Sequence, residues 1–300
     1  MSDKDKVILP PPRVCAIHDL SCFGRCALTV VIPTLSALGI QCIPMPTALL
    51  STHTGGFSDM YIRDLSTDMR GIYGHWEDLG VRFDAIYTGF ILDASQGEII
   101  SEFVKKFRAE KTLCLVDPVM GDDGELYSTC THQMSDIMYS LCSMADIITP
   151  NLTEACLLCS VEYPRGGFSS FSECRDFVTP LTSSLLRLSP FVAITGIPMS
   201  EGKDEYIVTV AASREGAVSF YKEKRVHFSY HGTGELFASI LLGRVLGGAE
   251  FSSAVADASR FVAETIEYSS HIDTPWREGT ALEPCLMRLS HDEYEKKLKG

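Results

Sequence analysis

What most constrains the fold is the way the apolar runs of this chain end. The runs beginning at Arg13, Phe83, Thr112, Ile147 and Phe191 close on His18-Asp19, Thr88-Gly89, Asp117-Pro118-Val119-Met120-Gly121-Asp122, Thr149-Pro150-Asn151 and Thr195-Gly196. Each run is short and rich in Val, Ile, Leu, Cys or aromatic residues, and helix-like stretches separate them. Strand and helix alternation of this kind implies βαβ units, hence a mostly parallel sheet covered on both faces. In such a sheet ligands bind outside the carboxyl ends of the strands. The polar endings are therefore expected to share one crevice.

Taken in order, strands are predicted over 13–19, 41–46, 83–89, 112–116, 147–149 and 191–196. Helices are predicted over 26–38, kinked at Pro33 and closed by Gly39, and over 61–79, 95–109, 131–144, 152–159, 172–188, 236–247 and 252–269. Residues 21–25 read as a turn and 47–57 as a loop rich in Ser, Thr, His and Gly. Two β-rich runs within 205–228 break the alternation and predict an antiparallel edge. The expected fold is α/β: a three-layer α/β/α sandwich with a mostly parallel central sheet and an antiparallel edge, in a single domain over 1–300. Residues 1–12, polar and then proline-rich, are expected to be a loosely ordered tail.

Composition enters by exclusion. With 26 basic and 39 acidic side chains the formal charge is −13, which argues against nucleic-acid and anionic-membrane partners. Eleven cysteines lie scattered in apolar segments, and the one C-x-x-C, Cys156 to Cys159, sits in a helix-like run. They read as reduced core thiols, not as a disulfide or zinc framework. With no apolar leader and no run of ~18 apolar residues, a cytoplasmic location is expected.

The chemistry concentrates in His231-Gly232-Thr233-Gly234-Glu235, which follows a strand-like segment and opens a helix. Backbone N–H groups and the helix dipole would converge there on an anion; an ordinary tight turn before a buried helix fits the same residues. Asp117, Asp122, Asn151 and Glu154 are oxygen ligands suited to Mg²⁺ and phosphate chemistry, while Asn151 with Glu154 also fits a helix cap and its partner. His53, in Ser51-Thr52-His53-Thr54-Gly55-Gly56, could read a heteroaromatic substrate, or be tied to a backbone carbonyl. Asp19 must find a partner at the end of its strand, either Arg25 or a cationic ligand group. Lys222-Glu223-Lys224-Arg225 fits a solvated edge strand or a phosphate clamp.

With these motifs in place the chain resembles the pyridoxal or pyridoxamine kinases of the ribokinase-like superfamily. The resemblance runs from about Arg13 to Cys285 and rests on Ser51-Thr52-His53-Thr54-Gly55, Thr88-Gly89-Phe90, Asp117-Pro118-Val119-Met120-Gly121, Thr149-Pro150-Asn151-Leu152-Thr153-Glu154 and Gly232-Thr233-Gly234. It implies ATP-dependent phosphorylation of the 5′-hydroxyl of pyridoxal, pyridoxine or pyridoxamine, with Mg²⁺ and often a monovalent cation, in a homodimer. By resemblance Asp19, His53, Thr54 and Phe90 line the pyridine pocket. Asp117, Asp122 and Glu154 serve the metal, Thr149, Asn151, Thr195, Gly196 and Thr233 the ATP, and Gly232, Thr233 and Gly234 form the anion hole.

Two positions depart from the family's pattern. Asp19 stands where similar kinases carry serine or threonine, and Glu235 where they carry the aspartate that takes the substrate's hydroxyl proton. Glutamate can do that proton chemistry, but its extra methylene shifts the carboxylate by ~1 Å, a displacement that can cost about a hundredfold in rate. Two alternatives accompany this reading: a hydroxymethylpyrimidine-type vitamin kinase, and a catalytically weak vitamin- or nucleotide-binding relative.

Overall fold

A computed structural model describes residues 10–127 and 130–299. The expected tail over 1–12 thus lies mostly outside the described residues.

Eleven strands and nine α-helices form, among the described residues, in this order: β1 (Arg13–Phe23), α1 (Leu28–Ala37), β2 (Gln41–Thr52), β3 (Ile62–Asp64), α2 (Ser66–Asp78), β4 (Ala85–Thr88), α3 (Ala94–Phe107), β5 (Leu113–Val116), β6 (Gly121–Asp122), β7 (Glu125–Leu126), α4 (His132–Met144), β8 (Ile147–Ile148), α5 (Leu152–Cys159), α6 (Phe171–Leu185), β9 (Phe191–Glu201), β10 (Asp204–Ser213), β11 (Ser219–Lys224), α7 (Thr233–Leu246), α8 (Phe251–His271) and α9 (Leu282–Lys299). Nine strands make one sheet in the order β11-β10-β9-β8-β5-β4-β1-β2-β3, and β6 with β7 forms a separate hairpin. From β2 through β1, β4, β5 and β8 to β9 the pairing is parallel. Both edges are antiparallel, β10 and β11 on one side and β3 on the other.

The period-two alternation of the strands sorts the core into two layers. Val14, Ala16, Tyr87 and Leu115 face a cluster built from α1, α7, α8 and the start of α9. Cys15, Ile17, Ile86, Cys114 and Val116 face the layer formed by α2 to α6. The cysteines are free among the described residues, and several of them fill these cores, as expected of small apolar side chains.

Three sequence expectations need correction. Residues 21–23, expected in a turn, continue β1, and the expected loop over 47–57 is strand as far as Thr52. The two segments pair in parallel across a register shift after His18, Leu20 facing Leu49 and Phe23 facing Thr52, so tertiary pairing satisfies backbone that the polar sequence suggested was irregular. The expected helix 61–79 begins only at Ser66, because residues 62–64 pair with β2. The third is β9, expected to end at Gly196, which runs on to Glu201 by pairing with β10. Helix α9 and the short 3₁₀ turn Trp276–Glu278 were not anticipated at all.

Sheet order reverses direction at β1, which lies between β2 and β4. A switch point of that kind opens a crevice at the carboxyl ends of the flanking strands. Asp19 and Thr88-Gly89 sit at this opening.

Candidate active site

One cavity of about 560 Å³ runs along the carboxyl ends of the central strands. Every residue that the resemblance places in the site lines it: Asp19, His53, Thr54, Phe90, Asp117, Asp122, Thr149, Asn151, Glu154, Thr195, Gly196, Gly232, Thr233, Gly234 and Glu235.

The anion-hole segment is built by exclusion of side chains. Gly232 takes φ +82°, and a Cβ there would lie 2.4 Å from the Arg25 carbonyl oxygen, so only glycine fits. Gly232 offers α7 no side-chain cap, and the first N–H groups of any helix lack intrahelical acceptors. They are left facing the cavity with the positive end of the helix dipole. A Cβ on Gly234 would touch Asp117 Oδ2 at 3.7 Å, which puts that carboxylate against the same turn.

Glu235, in the first turn of α7, does not fold back onto its own helix. Its Oε1 accepts from the Ala27 N–H at 3.1 Å and from Cys26 Sγ at 3.4 Å. Ala27 precedes α1 with φ 52° and ψ −129°, a conformation an L-residue adopts at some cost, and this turns its N–H toward the carboxylate. Neither Cys26 nor Ala27 was singled out from the sequence, where nothing marks a plain Cys-Ala pair.

Carboxylates dominate the electrostatics. Asp117 is buried and its carboxyl is pushed up to about 8, by desolvation first and then by the charge of Glu235, against a 3.2 Å hydrogen bond from Thr149 Oγ1. Glu154 is likewise raised by burial and by Asp117, and Asp122 by burial. Asp19 rises to about 6 for the same leading reason, with Glu235 adding to it and the Ser21 hydroxyl, 2.9 Å away, opposing it. Arg25, considered as the partner of Asp19, pairs instead with Glu283 at 2.8 Å.

Glu154 and Asn151 are both held by hydrogen bonds within the fold. Glu154 was expected at the metal, yet its two oxygens accept from the backbone N–H groups of Met120 at 3.1 Å and Asn151 at 2.8 Å. Asn151 Oδ1 accepts from the Glu154 N–H at 2.9 Å and its Nδ2 donates to the Gly121 carbonyl. The pair is therefore a capping box that also clamps the β6 turn. No group of three His, Cys, Asp or Glu side chains among the described residues is arranged to hold a metal ion; Asp117, Asp122 and Glu154 line the same cavity.

His53 is also committed within the protein. Its Nε2 donates to the Arg277 carbonyl at 2.6 Å and its Nδ1 accepts from the Gly55 N–H at 3.2 Å, leaving the ring face rather than a nitrogen for a ligand. That ring lies 4.5 Å from His231, which in turn lies 5.6 Å from Trp276. Burial holds both imidazoles below their ordinary range, His231 at about 4, so both are neutral at pH 7. The segment through Arg277 thus braces two histidines of the cavity wall from behind, a contribution no sequence motif signalled.

At the other end, β10, β11 and α8 bound an apolar recess that includes Ile207, Val262 and Ile266. Thr209 and Ser259 share a hydrogen bond of 3.1 Å there. Of the charged run on β11, Lys222 pairs with Glu201 at 2.7 Å and Arg225 with Glu205 at 3.2 Å, as an edge strand would; Lys224 lines the cavity.

Known proteins share this arrangement. A Bacteroides thetaiotaomicron VPI-5482 protein provisionally named a phosphomethylpyrimidine kinase has a crystal structure with TM-score 0.84 and 35% identity, covering 93% of this chain and 94% of that one; another crystal form of it contains pyridoxal. A pyridoxine/pyridoxal/pyridoxamine kinase of Bordetella avium is 25% identical over 84% of each chain. A probable thiamine biosynthetic bifunctional enzyme of rice is 25% identical over 88% of this chain, which spans only 46% of that longer protein. The sequence profile of the phosphomethylpyrimidine kinase family matches residues 26–277, and the chain belongs to that family.

Proposed function

We propose that this protein is an ATP-dependent kinase of the B6 vitamers, transferring the γ-phosphoryl group to the 5′-hydroxyl of pyridoxal, pyridoxamine or pyridoxine. The observation that carries the reading is the meeting of the uncapped α7 N-terminus with the carboxylates of Glu235 and Asp117, between an aromatic-lined pocket and an apolar recess. The Bordetella kinase and the pyridoxal-containing Bacteroides structure support the choice of vitamer.

The vitamer ring would lie among Asp19, His53, Thr54 and Phe90, with its hydroxymethyl group directed at Glu235. Glu235 takes the hydroxyl proton as the oxygen forms its bond to phosphorus and the bond to the β–γ bridging oxygen breaks, ADP leaving. The N–H groups behind Gly232, Thr233 and Gly234 hold the negative charge on the transferring group, fixed dipoles that need no reorganisation. Thr149, Asn151, Thr195 and Gly196 would flank the phosphates, and the β10–β11–α8 recess would take the adenine.

A hard cation fits this donor set. Asp117 is a buried carboxylate beside the anion hole with no protein counter-charge among its influences, and Mg²⁺ is commonly held by one or two carboxylates plus phosphate oxygens and water. Asp117 would hold it, with Asp122 and Glu154 acting through water or the backbone. Bound there, Mg²⁺ would neutralise charge on the phosphates; a monovalent cation could share the site. The reading extends to a homodimer, supported by exposed Phe23, Tyr61 and Ile62 on the projecting β1–β2–β3 edge. It also extends to the cytoplasm, supported by the free cysteines.

The test is coupled ADP release with the three vitamers and with the aminopyrimidine alcohol of thiamine synthesis, on this protein and on Glu235→Asp and Glu235→Gln. Turnover with a vitamer is expected, rising about tenfold or more in Glu235→Asp, whose shorter arm releases the carboxylate from Ala27 toward the substrate, and vanishing in Glu235→Gln. Absence of vitamer-dependent release in both carboxylate forms overturns the reading. Turnover of the pyrimidine alone would favour the second reading, suggested by the family's name.

A further inference from the structure

Asp19 poses a physical problem that the fold does not solve. Its carboxylate is only 5% exposed, sits at the switch point of the sheet and lines the cavity. One oxygen accepts from Ser21 Oγ, which holds the group in a single orientation without neutralising it. Among the described residues, the charged and titratable groups that act on it are acidic: Glu235 from α7 raises its carboxyl, and the Cys26 thiol is itself raised by Glu235 and Asp19. Arg25 is turned away to Glu283. A buried carboxylate is costly unless paired, so a group held this way and opening on a ligand cavity is a waiting half of an ion pair.

We infer that Asp19 is the specificity-determining residue of the substrate pocket, selecting a heteroaromatic alcohol whose ring nitrogen carries a proton and rejecting one whose ring nitrogen is bare. The inference rests on the B6 reading and deepens it. A pyridinium N–H⁺ donates to the carboxylate and supplies the missing counter-charge. A weakly basic pyrimidine nitrogen presents a lone pair to the same oxygens and is repelled. Because Asp19 and Glu235 line the same cavity, one small ring can offer its nitrogen to the first and its hydroxymethyl group to the second. Asp19 thereby separates the two vitamin chemistries found among relatives of this chain.

The experiment compares the protein with Asp19→Asn and Asp19→Glu in two measurements. The first is absorption of bound pyridoxine or pyridoxamine without ATP, since a 3-hydroxypyridine changes its spectrum when its ring nitrogen is protonated. The second is steady-state kinetics across pH. The wild type is expected to hold the ring protonated to a higher pH than free solution does. Asp19→Asn should lose that spectral shift and raise the vitamer KM roughly tenfold to a hundredfold, as for loss of a charge-assisted hydrogen bond, with kcat little changed, and Asp19→Glu should restore part of both. The aminopyrimidine alcohol should gain on the vitamers in Asp19→Asn.

ADP binding by the Asn variant checks its fold, and if it misfolds the wild-type spectrum decides alone. A bare ring nitrogen in the wild-type complex, or unchanged KM and spectrum in Asp19→Asn, overturns the inference while vitamer turnover leaves the kinase reading standing. Failure of any vitamer to bind overturns both.

Discussion

Helices α5 and α7 begin alike in sequence and serve opposite ends. Each follows a strand end and a turn, and each carries glutamate three residues after its cap position: Asn151 with Glu154, Gly232 with Glu235. In α5 the cap and the glutamate satisfy one another and the neighbouring backbone. In α7 the cap has no side chain, and the glutamate reaches across to Ala27. A helix N-terminus saturated by its own residues is structural, whereas one stripped of side chains keeps its donors for a ligand.

The sharpest way to break this contrast is Gly232→Ala. The added Cβ must displace the Arg25 carbonyl and occupy a positive φ, so loss of activity by a hundredfold or more (~2.7 kcal/mol or more) is expected, on the scale of removing an anion-hole donor. ADP-release kinetics with phosphate-binding measurements check it. A fully active Ala variant would show that the bare N-terminus is not used.

Glu154→Gln should act on stability first. It weakens the bonds to Met120 and Asn151 inside a buried turn and should cost about 1–3 kcal/mol in denaturant unfolding, with a smaller loss of rate. Asn151→Ala should cost about 1 kcal/mol and additionally loosen the Gly121 carbonyl. If either variant instead abolished turnover with unfolding unchanged, α5 would share the catalytic role of α7 rather than only frame the phosphates.

The smallest effect expected is on pH. Asp117 and Asp19 have folded-state carboxyls raised to about 8 and about 6 from ordinary values near 3.8. The folded protein therefore binds more protons than the unfolded chain between those values, and their contribution to stability is full below about 3.8 and declines as pH rises through 6 and 8. Ligand-free melting temperature should accordingly be lower at pH 8 than these groups allow at pH 5.5. Asp117→Asn should flatten the slope and raise the melting temperature at pH 8 while lowering activity. An unchanged slope in that variant would show that the Asp117 carboxyl is not strained.

The alternation of elements, the parallel sheet, the antiparallel β10–β11 edge and the lining residues of the cavity were legible because they depend on local pattern: period-two runs, glycine turns and polar strand ends. The extension of β1 and β2 was not, since polar residues such as Ser21 and Thr52 become strand only through pairing with a distant segment. Cys26, Ala27 and the Arg277 carbonyl were invisible for the same reason. Their roles come from where the chain returns, across 209 residues between Cys26 and Glu235 and 224 between His53 and Arg277.

The sequence by itself determined which groups could do chemistry, a glycine-bounded helix start, a glutamate in its first turn, and an acid ending the first strand. Only the tertiary structure decided which are spent and which are free. A side chain's hydrogen-bonding capacity is finite, and long-range contacts satisfy Glu154, Asn151 and His53 within the fold. They leave the α7 N-terminus uncapped and Asp19 and Asp117 without a counter-charge.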